Sequence, residues 1–172
     1  MQKRIIIILL LLLLSACTGL PENVKPVDNF QLDHYLGQWY EIARMDHSFE
    51  RNLIKVTANY SMRPDNGVKV VNRGYNVKTN QWDEAEGKAY FVLQPDIGYL
   101  KVSFFGPFYG SYVIIDLDKE NYHYALVGGP DKSYLWILAR SPRLSEEIQA
   151  RLVATADQLG YETDNLIFVP QE

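Results

Sequence analysis

The tightest constraint on this chain is a series of short alternating segments separated by turn signals. It begins at Gly37-Gln38-Trp39-Tyr40 and ends about a hundred residues later at Tyr134-Leu135-Trp136-Ile137-Leu138-Ala139-Arg140. Between these two, residues 54–62, 68–75, 82–93, 99–105, 111–116 and 121–127 carry the alternation and the β-branched and aromatic content of strands. The breaks are turn-forming: Arg63-Pro64-Asp65-Asn66-Gly67, Lys78-Thr79-Asn80, Pro95-Asp96-Ile97-Gly98, Gly106-Pro107 and Gly128-Gly129-Pro130-Asp131. Eight strands without βαβ spacing predict an antiparallel sandwich or barrel, and successive hairpins favour an up-and-down barrel, which leaves no open edge. Trp39 and Arg140 stand at opposite ends of the series. An indole with a guanidinium laid over it would be a cation–π pair able to cap the bottom of such a barrel.

One helix is predicted after the strands. Ser141-Pro142 and Ser145-Glu146-Glu147 supply a capping hydroxyl, an early proline and first-turn acids, and Gly160 ends the segment. Ile148, Leu152, Val153, Ala156 and Leu159 form a stripe at helical spacing, expected to pack on the outside of the barrel. Residues 166–169 read as a short last strand at the edge. The expected fold class is therefore all-β, an eight-stranded antiparallel up-and-down barrel with one C-terminal α-helix outside.

The N-terminus reads as a leader. Lys3 and Arg4 precede an apolar run of about ten residues, too short to span a bilayer comfortably, and then comes Leu14-Ser15-Ala16-Cys17. That tetrapeptide resembles the lipobox of bacterial lipoproteins, which implies cleavage after residue 16 and acylation of Cys17. Thr18 stands where an aspartate would retain such a protein at the inner membrane, so the resemblance implies anchoring at the periplasmic face of the outer membrane. Cys17 is the only cysteine, so no internal disulfide can form. Residues 17–27, broken by Pro21 and Pro26, are expected to be a lipidated tether without packing, and 28–172 the domain. Loss of the two leader cations takes the formal charge of −4 to about −6 with no basic run, which argues against nucleic acid.

The stretches 37–44, 101–110 and 134–140, with the single late helix, resemble lipocalins, in detail the outer-membrane lipoprotein lipocalins of bacteria and their relative apolipoprotein D. The resemblance covers about 29–169. It implies that Trp39 and Arg140 form a closed-end pair and that the opposite mouth admits a lipophilic ligand. The threonine-aspartate-tyrosine motif of many lipocalins is degraded here to Asp118-Lys119-Glu120-Asn121-Tyr122, which weakens any carry-over of receptor recognition.

Alternation assigns faces. With Trp39 inward, Glu41 and Ala43 follow; with Trp136 inward, Tyr134, Leu138 and Arg140 follow. The other inward positions expected to line a ligand site are Ala58, Tyr60, Val70, Phe91, Val102, Phe104, Tyr112 and Ile114. By composition these residues fill a core or line a cavity equally well, and the resemblance favours the cavity. Such a wall suits a hydrocarbon chain with a small polar head.

Glu41 is expected to be hydrogen-bonded to a tyrosine or arginine near the closed end in a structural role, with general-base work the alternative. His34, His47 and His123 lack metal-ligand spacing, no nucleophile constellation is present, and no cofactor is expected. The reading is a membrane-anchored, non-enzymatic carrier of fatty acids or lysophospholipids. A lipid-modifying enzyme using Glu41, and a filled barrel that binds a protein through an aromatic patch at Phe105, Phe108 and Tyr109, are the alternatives. A homodimer through that outer surface stays open.

Overall fold

The computed structural model describes residues 18–172; the expected leader and Cys17 lie outside the described residues. Gly37 has φ +92°, in the left-handed region that a side chain strains, and there the short helix α1 (Leu32–Tyr35) gives way to strand β1 (Gly37–Arg44). The chain then runs through β2 (Leu53–Met62), β3 (Val68–Asn76), β4 (Gln81–Phe91), β5 (Tyr99–Phe105), β6 (Phe108–Leu117), β7 (Tyr124–Gly128) and β8 (Leu135–Ala139). Helix α2 (Glu146–Gln158) and a two-residue strand β9 (Ile167–Phe168) follow. Asn66 and Asn80 take φ of 62° and 56° in the turns after β2 and β3, which is why asparagine serves there.

Each strand pairs antiparallel with the next, and β1 pairs with both β8 and β2, so the sheet closes into the eight-stranded barrel expected. Short β9 adds to β1 at Ala43 and Arg44. Two apolar layers result. One lies inside the barrel around Trp39, Tyr60, Val70, Leu100, Ile114, Ala125, Val127 and Leu138. The other lies outside, where Leu152 and Ala156 of α2 pack on Val113, Leu126, Ile137 and Ala139. Ser145 caps α2 by accepting from the Ile148 N–H at 3.3 Å.

Two expectations are corrected. Ala43 belongs to the outer layer. The β1–β8 register shifts between Glu41 and Ala43, so a bulge turns Ala43 outward opposite Ile137 and turns Arg44 inward opposite Trp136. The segment after Thr18 is not an unpacked tether. Val24 is buried against the outer layer, the Val27 N–H donates to the Ile114 carbonyl at 2.9 Å, and the Ser111 hydroxyl donates to the Gly19 carbonyl at 2.7 Å. Proline breaks the hydrogen-bond pattern of this segment, and the apolar barrel wall takes it up instead. Strand limits also move by a few residues: β6 begins at Phe108, and β7 begins only at Tyr124 because Tyr122 has φ 56°.

At the closed end, the Arg140 guanidinium carbon lies 4.1 Å from the centre of the Trp39 ring. Its nitrogens donate to the carbonyls of Gln38 at 2.9 Å, His34 at 2.7 Å, Leu36 at 2.9 Å and Tyr122 at 3.3 Å. One planar fork therefore ties α1, β1 and the β6–β7 connection together beneath the tryptophan. Trp39 is wholly buried, and its indole N–H donates to the Tyr35 carbonyl at 2.8 Å. Arg140→Lys keeps the charge but leaves several of these carbonyls without a donor. It should lower the free energy of unfolding by about 2 kcal/mol, read from urea denaturation at neutral pH.

Candidate functional site

Above the tryptophan floor the barrel holds a chain of three tyrosines. The Tyr112 hydroxyl lies 2.7 Å from that of Tyr35 and 2.8 Å from that of Tyr60. Burial raises all three hydroxyls above the ordinary tyrosine range, so they stay protonated and serve as a neutral hydrogen-bonded layer. Of the residues expected to line a ligand site, Tyr60, Val70 and Ile114 are buried in this interior layer. Ala58, Phe91, Val102, Phe104, Tyr112 and Trp136 also belong to it but are only partly buried. Each of these six side chains belongs to the interior layer and still keeps accessible surface. Tyr134 sits outside this layer, just before β8, where its ring stacks on His47 at 4.7 Å.

The mouth also uses two residues that sequence reasoning passed over, Arg44 and Glu50. The bulge at Ile42 brings Arg44 to the inner face, and its Nη1 donates to Glu41 at 2.7 Å with both side chains about 95% buried. Its Nη2 donates to the carbonyls of Glu50 at 2.9 Å and Leu53 at 3.2 Å, which pins the β1–β2 loop down onto the barrel. Glu50 accepts from the Trp136 indole N–H at 3.1 Å. Glu41 therefore has an arginine partner, as expected, but on the mouth side and not at the closed end.

Burial raises Glu41 well above the usual carboxylate range, and the neighbouring Glu50 charge adds to this against the pull of Arg44. Glu50 is raised too, chiefly by burial. Two carboxyl groups beside one guanidinium in an apolar wall each resist ionisation, by burial and, for Glu41, by the charge of Glu50, while Arg44 offsets part of that cost.

His47, in the same loop, is 5% exposed. Its ring is stacked between Phe49 at 5.2 Å and Tyr134 at 4.7 Å and leans on Trp136 at 4.9 Å. Burial first, and then the Arg44 charge, lowers its imidazole to about 4, so it is neutral at physiological pH. The β1–β2 loop is thus a partial lid, fastened by Arg44 beneath and by aromatic stacking above. No sequence signal marked Arg44 as inward, because residues three apart on a regular strand face opposite ways. Among the described residues no cluster of His, Cys, Asp and Glu suits a metal ion.

A family model described as a lipocalin-like domain matches residues 30–171. The outer membrane lipoprotein Blc of Vibrio cholerae serotype O1 is 55% identical over 159 residues, covering 92% of this chain and 93% of its own length. Apolipoprotein D of Bos taurus is a more distant relative, 30% identical over 152 residues that cover 84% of this chain and 78% of its own. Among solved structures, insecticyanin from the tobacco hornworm Manduca sexta superposes with a TM-score of 0.69 at 24% identity, over 88% of this chain and 86% of its own. That last likeness bears on the fold alone.

Two substitutions test the mouth cluster. Arg44→Met leaves two buried acids without their cation and should destabilise the protein by about 3 kcal/mol at pH 7, less toward pH 4 as both acids take up protons. His47 acts with the opposite sign. Its folded-state value lies below the unfolded 6.5, so its contribution is complete above that pH and is lost as the pH falls toward about 4. His47→Phe keeps the stack and removes that loss, so the unfolding free energy from urea denaturation between pH 7 and 4 should fall less steeply, by about 2 kcal/mol at the acid end.

Proposed function

Because this chain belongs to the lipocalin family, we propose that it is a lipid-anchored lipocalin of the cell envelope. In this reading it binds and carries single-chain lipophilic molecules, fatty acids or lysophospholipids. The observation that carries the reading is the accessible surface that interior side chains keep in the middle and upper barrel. Ala58, Val102, Phe104, Tyr112 and Trp136 face the axis yet remain partly accessible, over a floor closed by Trp39 and the tyrosine layer. An acyl chain lying on these walls would gain roughly 25 cal/mol per Å² of apolar area removed from water, enough for micromolar affinity after ordering costs. A small head group would rest at the mouth beside Trp136, Tyr134 and the β1–β2 loop.

The mechanism is sequestration without bond-making. Glu41 supports this, since its carboxyl is engaged by Arg44 and beds the loop down. Attachment through acylated Cys17, after removal of residues 1–16, is supported by the Leu-Ser-Ala-Cys sequence and by the name of the Vibrio relative. The same two observations support an outer-membrane location, as does Thr18, which stands where an aspartate would retain such a protein at the inner membrane, and the reading places the anchor at the periplasmic face.

Native mass spectrometry of the mature domain carrying Cys17→Ser, after mixing with extracted envelope lipids, tests the reading. One adduct per barrel with the mass of a fatty acid or lysophospholipid is expected, and a clean apo spectrum would overturn it. Ala58→Phe, which fills the hollow from β2, should weaken fatty-acid binding at least tenfold in a fluorescent displacement assay without lowering the melting temperature.

A further inference from the structure

The hairpin between β5 and β6 ends in an exposed apolar tip. Phe105 and Phe108 face each other across Gly106-Pro107 and are 81% and 67% exposed, while Phe104, one residue earlier, turns into the barrel. This tip lies at the open end, because β5 rises from the closed end and β6 returns to it. Just behind it on the outer face is Tyr109, with the ammonium groups of Lys101 and Lys88 at 5.2 and 6.0 Å from its ring. The nearby Glu86 is paired with Lys69 at 2.7 Å. Two bare phenylalanines in front of a tyrosine and two lysines is the order in which a surface meets hydrocarbon, interface and anionic head groups.

What selects the occupant is the route of the N-terminal segment. From Val27, bonded to Ile114, it runs along the outer wall to Gly19, whose carbonyl is held by Ser111, and to Thr18, whose carbonyl is held by the Tyr99 hydroxyl. Ser111 is three residues from Phe108 on the same strand, about 10 Å at strand spacing. The residue next to Thr18 is Cys17.

Resting on the lipid-anchored reading above, we infer that the Phe105–Phe108 tip inserts into the same leaflet that holds the acyl chains of Cys17, so that the barrel mouth opens against the bilayer. Anchor and tip then share one hairpin, since Gly19 is held by Ser111, three residues from Phe108, and Thr18 by Tyr99, six residues from Phe105. They form two attachments on one side of the molecule, and together they fix its orientation where acyl chains alone would let it swivel. Ligand then passes between bilayer and barrel without crossing bulk water.

Acylation consumes the only thiol, so a single introduced cysteine can be labelled with an environment-sensitive fluorophore on the mature acylated chain. Phe105→Cys probes the tip, and Gln94→Cys, in the exposed β4–β5 connection at the closed end, serves as the reference. In vesicles of phosphatidylethanolamine and phosphatidylglycerol, the label at 105 should shift to the blue and be quenched by lipids carrying nitroxide on their acyl chains. The label at 94 should do neither. A second readout uses Phe105→Ser/Phe108→Ser. Uptake of lipid from vesicles should slow at least tenfold, while binding of free fatty acid stays unchanged.

A label at 105 that remains in water on a chain whose mass shows the acyl groups would overturn the docking and leave the anchor reading standing. A chain recovered without acyl mass would overturn the anchor reading and the shared leaflet with it. Shielding in native envelope membranes but not in pure lipid vesicles would assign the tip to a protein partner and overturn the inference.

Discussion

Closure of the sheet through β1 is the constraint on which the remaining structure depends. That strand is paired on both sides, with β2 and with β8, and its first residues lie over the Arg140 guanidinium. A two-sided strand cannot slip register without exposing one apolar layer and burying polar groups of the other. The guanidinium also satisfies carbonyls from three chain segments that would otherwise be left without partners at the barrel floor. With the floor fixed, the tyrosine hydroxyls above it can be spaced to bond one another.

The same strand carries the irregularity that brings Arg44 to the mouth. Without a bulge, Glu41 and Arg44 would lie on opposite faces, and a lone carboxylate would be buried in an apolar interior. The register shift after Glu41 turns Arg44 inward and gives the acid its cation. It also gives the barrel a means of holding its loop, since Arg44 reaches the backbone at Glu50 and Leu53. The buried charges thus fix the position of the lid, and their desolvation is offset by bonds that only the closed loop supplies.

Much of this was legible in the residues. Alternation and turn chemistry mark eight strands, because a sheet with one apolar face imposes a period of two. Trp39 and Arg140 stand where the strand series begins and ends, and Ser145 and Gly160 bracket the helix for reasons of backbone hydrogen bonding. Two misreadings share one cause. Ala43 was assigned inward because alternation assumes a regular strand, and Arg44 was passed over for the same reason. The segment around Val24 has proline and polar neighbours, and nothing local says that a barrel wall will bury it. His47 carries no local sign of its stack, since Phe49, Tyr134 and Trp136 converge on it from two distant parts of the chain.

The amino-acid sequence by itself determined the kind of fold, the order of the strands and the residues that close the barrel, because those follow from short-range periodicity and turn preference. Only the tertiary structure decided which side chains face the hollow, how the acids at the mouth share one arginine, and where the N-terminal segment lies beside the β5–β6 tip. These depend on a one-residue register shift and on contacts between segments far apart in the chain. A one-residue shift leaves composition and pattern almost untouched while it reverses the direction of every side chain beyond it.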